Sequence, residues 1–128
     1  QSSGDFCSLA DSLYKNLNDK KWAFALYKKA ENQAKTSCEL RDLADNICLE
    51  LKDLEWARNL YAKSEGGAKF FYEFRRLAEC LFENLGDKEW ARKVYKKAAG
   101  KAIYTSEFNC LATSVRKNMG EEVNRILF

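Results

Sequence analysis

Two arginine–carboxylate pairs recur with the same spacing. Arg41 precedes Asp45 by four residues, and Arg75 precedes Glu79 by four. On a helix this interval sets both groups on one face, where opposite charges attract by about 0.2–0.5 kcal/mol. Such pairs serve either as intrahelical ion pairs or as a groove of alternating charge offered to a peptide. The nucleophiles are five cysteines, Cys7, Cys38, Cys48, Cys80 and Cys110, an odd number with no Cys-x-x-Cys pair. That spacing predicts no zinc or iron–sulfur site. The cysteines read as small, reduced, buried apolar groups; the alternative is one or two disulfides in an exported protein, with a thiol left over. Histidine is absent, which removes the commonest general base and zinc ligand. No glycine-rich phosphate loop or serine elbow is present, and Glu121-Glu122 are adjacent, so they point apart on a helix. The expectation is a protein that is not an enzyme and takes no metal or cofactor.

The elements that must position these groups are helices. Proline is absent and glycine scarce, six in 128 residues, and both interrupt helices. The length suits one domain with a modest core. Lysine and arginine number 22 against 19 acids, a net charge of +3, well short of the concentrated basic face of a nucleic-acid domain. Lys20-Lys21, Lys28-Lys29 and Lys96-Lys97 are interleaved with acids such as Glu31 and Glu89 and read as a solvated face. No apolar run approaches the ~20 residues that span a bilayer, so membrane insertion is not expected. The sequence opens on Gln1 in place of Met, and Gln1-Ser2-Ser3-Gly4 reads as the start of a flexible lead-in over 1–5. A cytoplasmic protein is favoured, with a processed exported one as the alternative.

A repeat runs through the rest. Leu9-Ala10 recurs as Leu43-Ala44, Leu77-Ala78 and Leu111-Ala112, in steps of 34 residues. In phase with it stand Phe6, Leu40, Phe74 and Phe108; Trp22, Trp56 and Trp90; Ala23, Ala57 and Ala91; and Tyr27, Tyr61 and Tyr95. Each unit predicts two helices. The first carries an apolar stripe such as Phe74, Leu77, Ala78, Leu81 and Leu85; the second carries one such as Trp90, Ala91, Val94, Tyr95 and Ala98. Between them Asp19, Asp53 and Asp87 suit the N-cap of the second helix, and Gly86 suits a left-handed residue closing the first. Gly66-Gly67 and Gly100 fall where the second helix should end. One hairpin cannot bury its own stripe, so neighbouring hairpins must stack. The Ala columns allow close approach, and the Trp and Tyr columns fill space between layers.

From Phe6 to Phe128 the chain resembles the tetratricopeptide repeat family, whose period is also about 34 residues. Ala91, Tyr95 and Ala98 stand at its small, aromatic and small positions, and Phe74, Leu77, Ala78 and Leu81 at those of its first helix. Two features depart from the pattern. The first helix is one residue longer before the turn, and Ala34, Ala68 and Ala102 replace the proline that usually ends a unit. The related Sel1-like repeats are therefore a close alternative. Either resemblance implies an all-α, right-handed α-solenoid of helix-turn-helix units. The units would span about 6–39, 40–73 and 74–107, with a partial fourth at 108–128.

The resemblance implies a concave face of first helices, lined by Tyr14, Arg41, Asp45, Cys48, Arg75, Glu79, Phe82, Asn109 and Arg116. Asp11, Asp45 and Glu79 occupy places where family members that grip a terminal carboxylate use Asn, which favours a ligand with positive groups. The expected function is a module that binds a peptide or protein surface through this face. One alternative is a structural protein assembling head to tail, with Cys7 and Cys110, at nearly equivalent repeat positions, meeting at the junction. Another is a regulatory solenoid domain of a larger protein. The cluster Phe70-Phe71-Tyr72-Glu73-Phe74 is read mainly as core, with an exposed docking patch as the alternative.

Overall fold

In the computed structural model the described residues are 3–17 and 20–120; for residues 13–20 side chains are not described. Among the described residues seven α-helices follow one another: α1 (Ser3–Leu17), α2 (Lys20–Gln33), α3 (Ser37–Asn46), α4 (Leu54–Gly67), α5 (Phe71–Cys80), α6 (Lys88–Lys101) and α7 (Thr105–Met119). Among the described residues there is no strand. None of their helices is long and apolar enough to cross a membrane. The expected cap at Asp19 and the partial helix at 121–128 lie outside the described residues. Helix α1 begins at Ser3, inside the expected lead-in.

The helix starts keep the sequence period. First helices begin at Ser3, Ser37, Phe71 and Thr105, and second helices at Lys20, Leu54 and Lys88. The chain divides into two compact units, residues 1–67 and 68–128. In the first, α1 packs on α2, α3 on α4, and α1 and α2 on α3. In the second, α5 packs on α6, and α7 on both.

Two of the first helices end in a turn wider than an α turn. Both α3 and α5 continue into a π-helical turn, Ile47–Leu51 and Leu81–Leu85. A π turn closes its hydrogen bonds one residue further along than an α turn, so it absorbs one residue without shifting the stripe before it. Each turn ends on a left-handed residue, Lys52 (φ 57°) and Gly86 (φ 65°). The Gly86 N–H donates to the Leu81 and Phe82 carbonyls, and the Asp87 N–H to Leu81, which closes the helix end. Asp53 and Asp87 then cap α4 and α6, their Oδ1 atoms accepting from the Trp56 N–H at 3.0 Å and the Trp90 N–H at 3.1 Å.

The other end of each hairpin is closed by glutamates. Glu39 accepts from the Lys35 and Thr36 N–H groups, Glu73 from Lys69 and Phe70, and Glu107 from Ile103 and Tyr104. The Thr36 hydroxyl returns the favour to the Glu39 N–H at 3.1 Å, completing a capping box. Phe70 and Tyr104 lack a suitable side-chain acceptor, so their backbone carbonyls take the N–H of Glu73 and Glu107.

The Ala and Tyr columns form the core: Ala23, Ala57, Ala91, Tyr27, Tyr61 and Tyr95 are all fully buried. Three residues of the apolar columns depart from that pattern. Leu43, Leu77 and Leu111 are buried, but Leu9 is 46% exposed. Trp56 is buried and Trp22 is 63% exposed. Phe74 is buried and Phe108 is 42% exposed. The aromatic cluster splits as well: Phe71 and Phe74 enter the core of the second unit, while Phe70 and Tyr72 lie exposed with rings stacked 6.1 Å apart.

Candidate functional site

In the second unit a hollow of about 460 Å³ lies between α5 and α7. It brings together Arg75, Glu79, Asn109 and Cys110 with Ser106, Thr113, Ser114 and Lys117. The helical period explains the grouping: Arg75 and Glu79 stand one turn apart on α5, and Ser106, Asn109, Thr113 and Lys117 recur at three- and four-residue spacing on α7. The Arg75–Glu79 ion pair forms as the spacing predicts, at 2.9 Å, and Arg76 adds a second contact to Glu79 at 3.2 Å. Behind Glu79 runs a directed hydrogen-bond chain. Ser114 donates to Glu79 at 2.6 Å, which leaves the Tyr95 hydroxyl to donate to Ser114 at 2.7 Å. The Asn118 amide donates in turn to the Tyr95 oxygen at 3.0 Å. Burial pushes the Tyr95 phenol up, against the lowering effect of Ser114 and Asn118. Glu79 is thus held from three sides, and the more exposed Asn109, Thr113 and Lys117 line the hollow's mouth. The hollow offers a guanidinium, an ammonium, a carboxylate, an amide and hydroxyls, chemistry suited to holding a polar ligand.

Phe82 is half-buried and Arg116 exposed, and neither lines this hollow. Cys48 is buried, and burial raises its thiol pKa.

In the first unit, a hollow of about 370 Å³ between α1 and α3 is bordered by Asp11, Asp42 and Asp45. Here the expected charge pattern changes. Arg41 reaches Asp42, its sequence neighbour, at 3.2 Å, and Asp45 accepts the hydroxyl proton of buried Tyr61. Tyr27 donates to Asp11 in the same way one repeat earlier. Those tyrosines stand 16 residues after their acids, on the second helix of the same hairpin, so each bond ties a hairpin together. The carboxylates read from the sequence as ligand groups therefore carry structural bonds. In the third hairpin the acid is Glu79, one methylene longer, and Tyr95 reaches it only through Ser114. Among the described residues the Nε atoms of Arg41 and Arg75, one repeat apart, are buried with no hydrogen-bond partner. Tyr14 belongs to α1, with its side chain outside the described set.

The two cysteines expected at a junction differ. Cys7 is buried, and burial pushes its thiol up to about 11 despite the lowering effect of Asn46; Cys110 is exposed. A thiol with so high a pKa supplies little thiolate near neutrality and is slow in disulfide exchange. All five cysteines are free thiols. Among the described residues no group of three or more acids or cysteines is placed to hold a metal ion.

The sequence did not single out Ser106, Thr113, Ser114 or Lys117. Thr113 and Lys117 were legible only as the α7 residues that follow Asn109 at helical spacing. Compared with known proteins, the chain matches no family model, no curated protein and no solved structure.

Proposed function

We propose that this chain is a partner-binding module, a short stack of tetratricopeptide-like hairpins that holds a peptide or protein surface along its first helices. The observation that carries the reading is the α5–α7 hollow. It gathers three residues expected on the binding face, Arg75, Glu79 and Asn109, and adds Lys117 and two hydroxyl-bearing positions at its mouth. The Glu79 carboxylate is fixed by Arg75, Arg76 and Ser114, so a ligand meets a preorganised polar wall and loses less entropy on binding. The test is selection from a random displayed peptide library, followed by calorimetry of the selected peptides. Asn109→Ala and Thr113→Ala change exposed side chains that line the hollow, and each is expected to weaken binding by about tenfold, the effect of roughly 1.4 kcal/mol. Equal affinity in both variants removes this hollow as the site.

A second reading is head-to-tail association of copies. Its support is that columns buried elsewhere in the chain lie exposed at Leu9 and Phe108. Buried Cys7 argues against a disulfide at such a junction. Light scattering after size exclusion, over a hundredfold concentration range, tests it: a constant monomer mass removes association.

A further inference from the structure

A separate feature of the first unit lies where α2 meets α4. Phe24 of α2 and Trp56 of α4 bring their ring centroids to 5.0 Å with planes tilted by 49°, forming a two-walled aromatic corner. Lys28, one turn after Phe24, holds its Nζ 4.4 Å from the Trp56 centroid and 5.7 Å from that of Phe24. Glu31, a further turn along, accepts the Trp56 indole N–H at 3.2 Å and a Lys63 hydrogen bond at 3.0 Å. The indole is therefore fixed at its edge while its face is turned to a cation. Beside the corner opens a hollow of about 230 Å³, bordered by the rings, Lys28, Asp53, Glu55 and Asn59.

We propose that this corner is a binding site for a methylated ammonium group, as carried by a trimethylated lysine side chain of a partner or by choline, in the seat that Lys28 now occupies. Four properties of the corner support this. Two aromatic faces converge on one point, and the ring quadrupole attracts a cation there. The carboxylates of Asp53 and Glu55 outnumber the single lysine on the border, so the hollow favours positive charge. Its volume is that of about eight waters at roughly 30 Å³ each, room for a trimethylammonium head. The occupant is also displaceable. Lys28 has a side chain about half exposed, and its ion pair with Glu31 is long, at 3.8 Å; Glu31 keeps Lys63 and the Trp56 indole when Lys28 swings out. A methylated ammonium has no proton to donate to water and carries more apolar surface than the lysine head. It therefore gives up less hydration on meeting the rings.

The test follows the N-methyl proton signals by NMR as folded protein is added to tetramethylammonium chloride, to choline, and to a short peptide bearing trimethyllysine. The same peptide with unmodified lysine and an equal concentration of sodium chloride serve as controls. Stacking against the rings should shift the methyl signals upfield in a saturable way. Lys28→Gln removes the occupant and its like charge, and should tighten binding by about two- to fivefold; Phe24→Leu removes one wall and should weaken it by a similar factor. Phe24 is partly exposed, and an unchanged amide spectrum away from the corner certifies that variant as folded. Stronger binding of peptide than of choline identifies a partner side chain as the source, and the reverse order a small molecule. The proposal is overturned by the absence of a saturable shift in both wild type and Lys28→Gln. It is equally overturned if Phe24→Leu binds as well as wild type, or if trimethylated and unmodified peptides bind alike.

Discussion

The turns after α3 and α5 form a natural experiment, because the same backbone is built with two different residues. Lys52 sits at φ 57°, ψ 28° and Gly86 at φ 65°, ψ 20°. A side chain in this region brings Cβ against the following carbonyl at a cost of roughly 1–2 kcal/mol, which glycine escapes. Glycine in turn loses more freedom on folding, by about 0.5–1 kcal/mol. The difference predicts that Lys52→Gly stabilises the chain by about 0.5–1 kcal/mol, while Gly86→Ala destabilises it by a similar amount. No atom lies within 4 Å of a Cβ built at Gly86, so the second cost is one of backbone conformation and not of collision. Urea unfolding of wild type, both single variants and the double variant measures this. The midpoints should move in opposite directions at constant slope, and the double variant should fall near wild type, since the two turns lie in separate units. A Lys52→Gly midpoint at or below wild type would refute the left-handed assignment of that turn, and with it the equivalence of the two π turns.

Other outcomes follow from the same structure. Tyr61→Phe deletes the hydroxyl that Asp45 accepts and should cost about 1.5 kcal/mol, the range for hydrogen bonds to charged groups, read from the shift in urea midpoint. Glu107 has its carboxyl pKa lowered by the backbone N–H groups of Ile103 and Tyr104. A depressed folded value means the cap contributes fully above the ordinary value of 4.5 and is lost as pH falls below it. Stability measured from pH 7 to pH 3 should therefore fall less steeply in Glu107→Gln than in wild type. Under a thiol-reactive dye at pH 8, Cys110 should label fast and Cys7, with its thiol pushed up to about 11, only at the rate of unfolding. Mass spectrometry of peptides from a timed quench separates the two.

Much of the scaffold was legible as spacing. The 34-residue phase anticipated the spacing of the helix starts, though each first helix begins three residues before the expected unit; Asp53 and Asp87 announced their caps, and Gly86 its left-handed turn. The glutamate caps were harder to see, because two of them face Phe70 and Tyr104, which look like core residues and not like N-caps. Column position alone also does not say what covers a residue, so Leu9 and Phe108 read like Leu43 and Phe74 although they end up exposed. For the site, the ion pair Arg75–Glu79 was readable from a helical interval. The diversion of Asp45 to Tyr61 was not, because that bond joins two helices across a turn, and sequence periodicity within one helix carries no information about it.

The π turns have a consequence for how such a chain can change length. Every residue of an α-helix turns the next by about 100°, so a deletion within Ser37–Asn46 or Phe71–Cys80 rotates part of the stripe away from the partner helix. A deletion inside 47–51 or 81–85 need not, because the turn there already winds one residue more than an α turn requires and can relax to α geometry. Helices α3 and α5 thus carry slack at one place, beside the capped turn that fixes the helix that follows. A residue can be lost at either turn while Tyr61 and Tyr95 keep their places in the core.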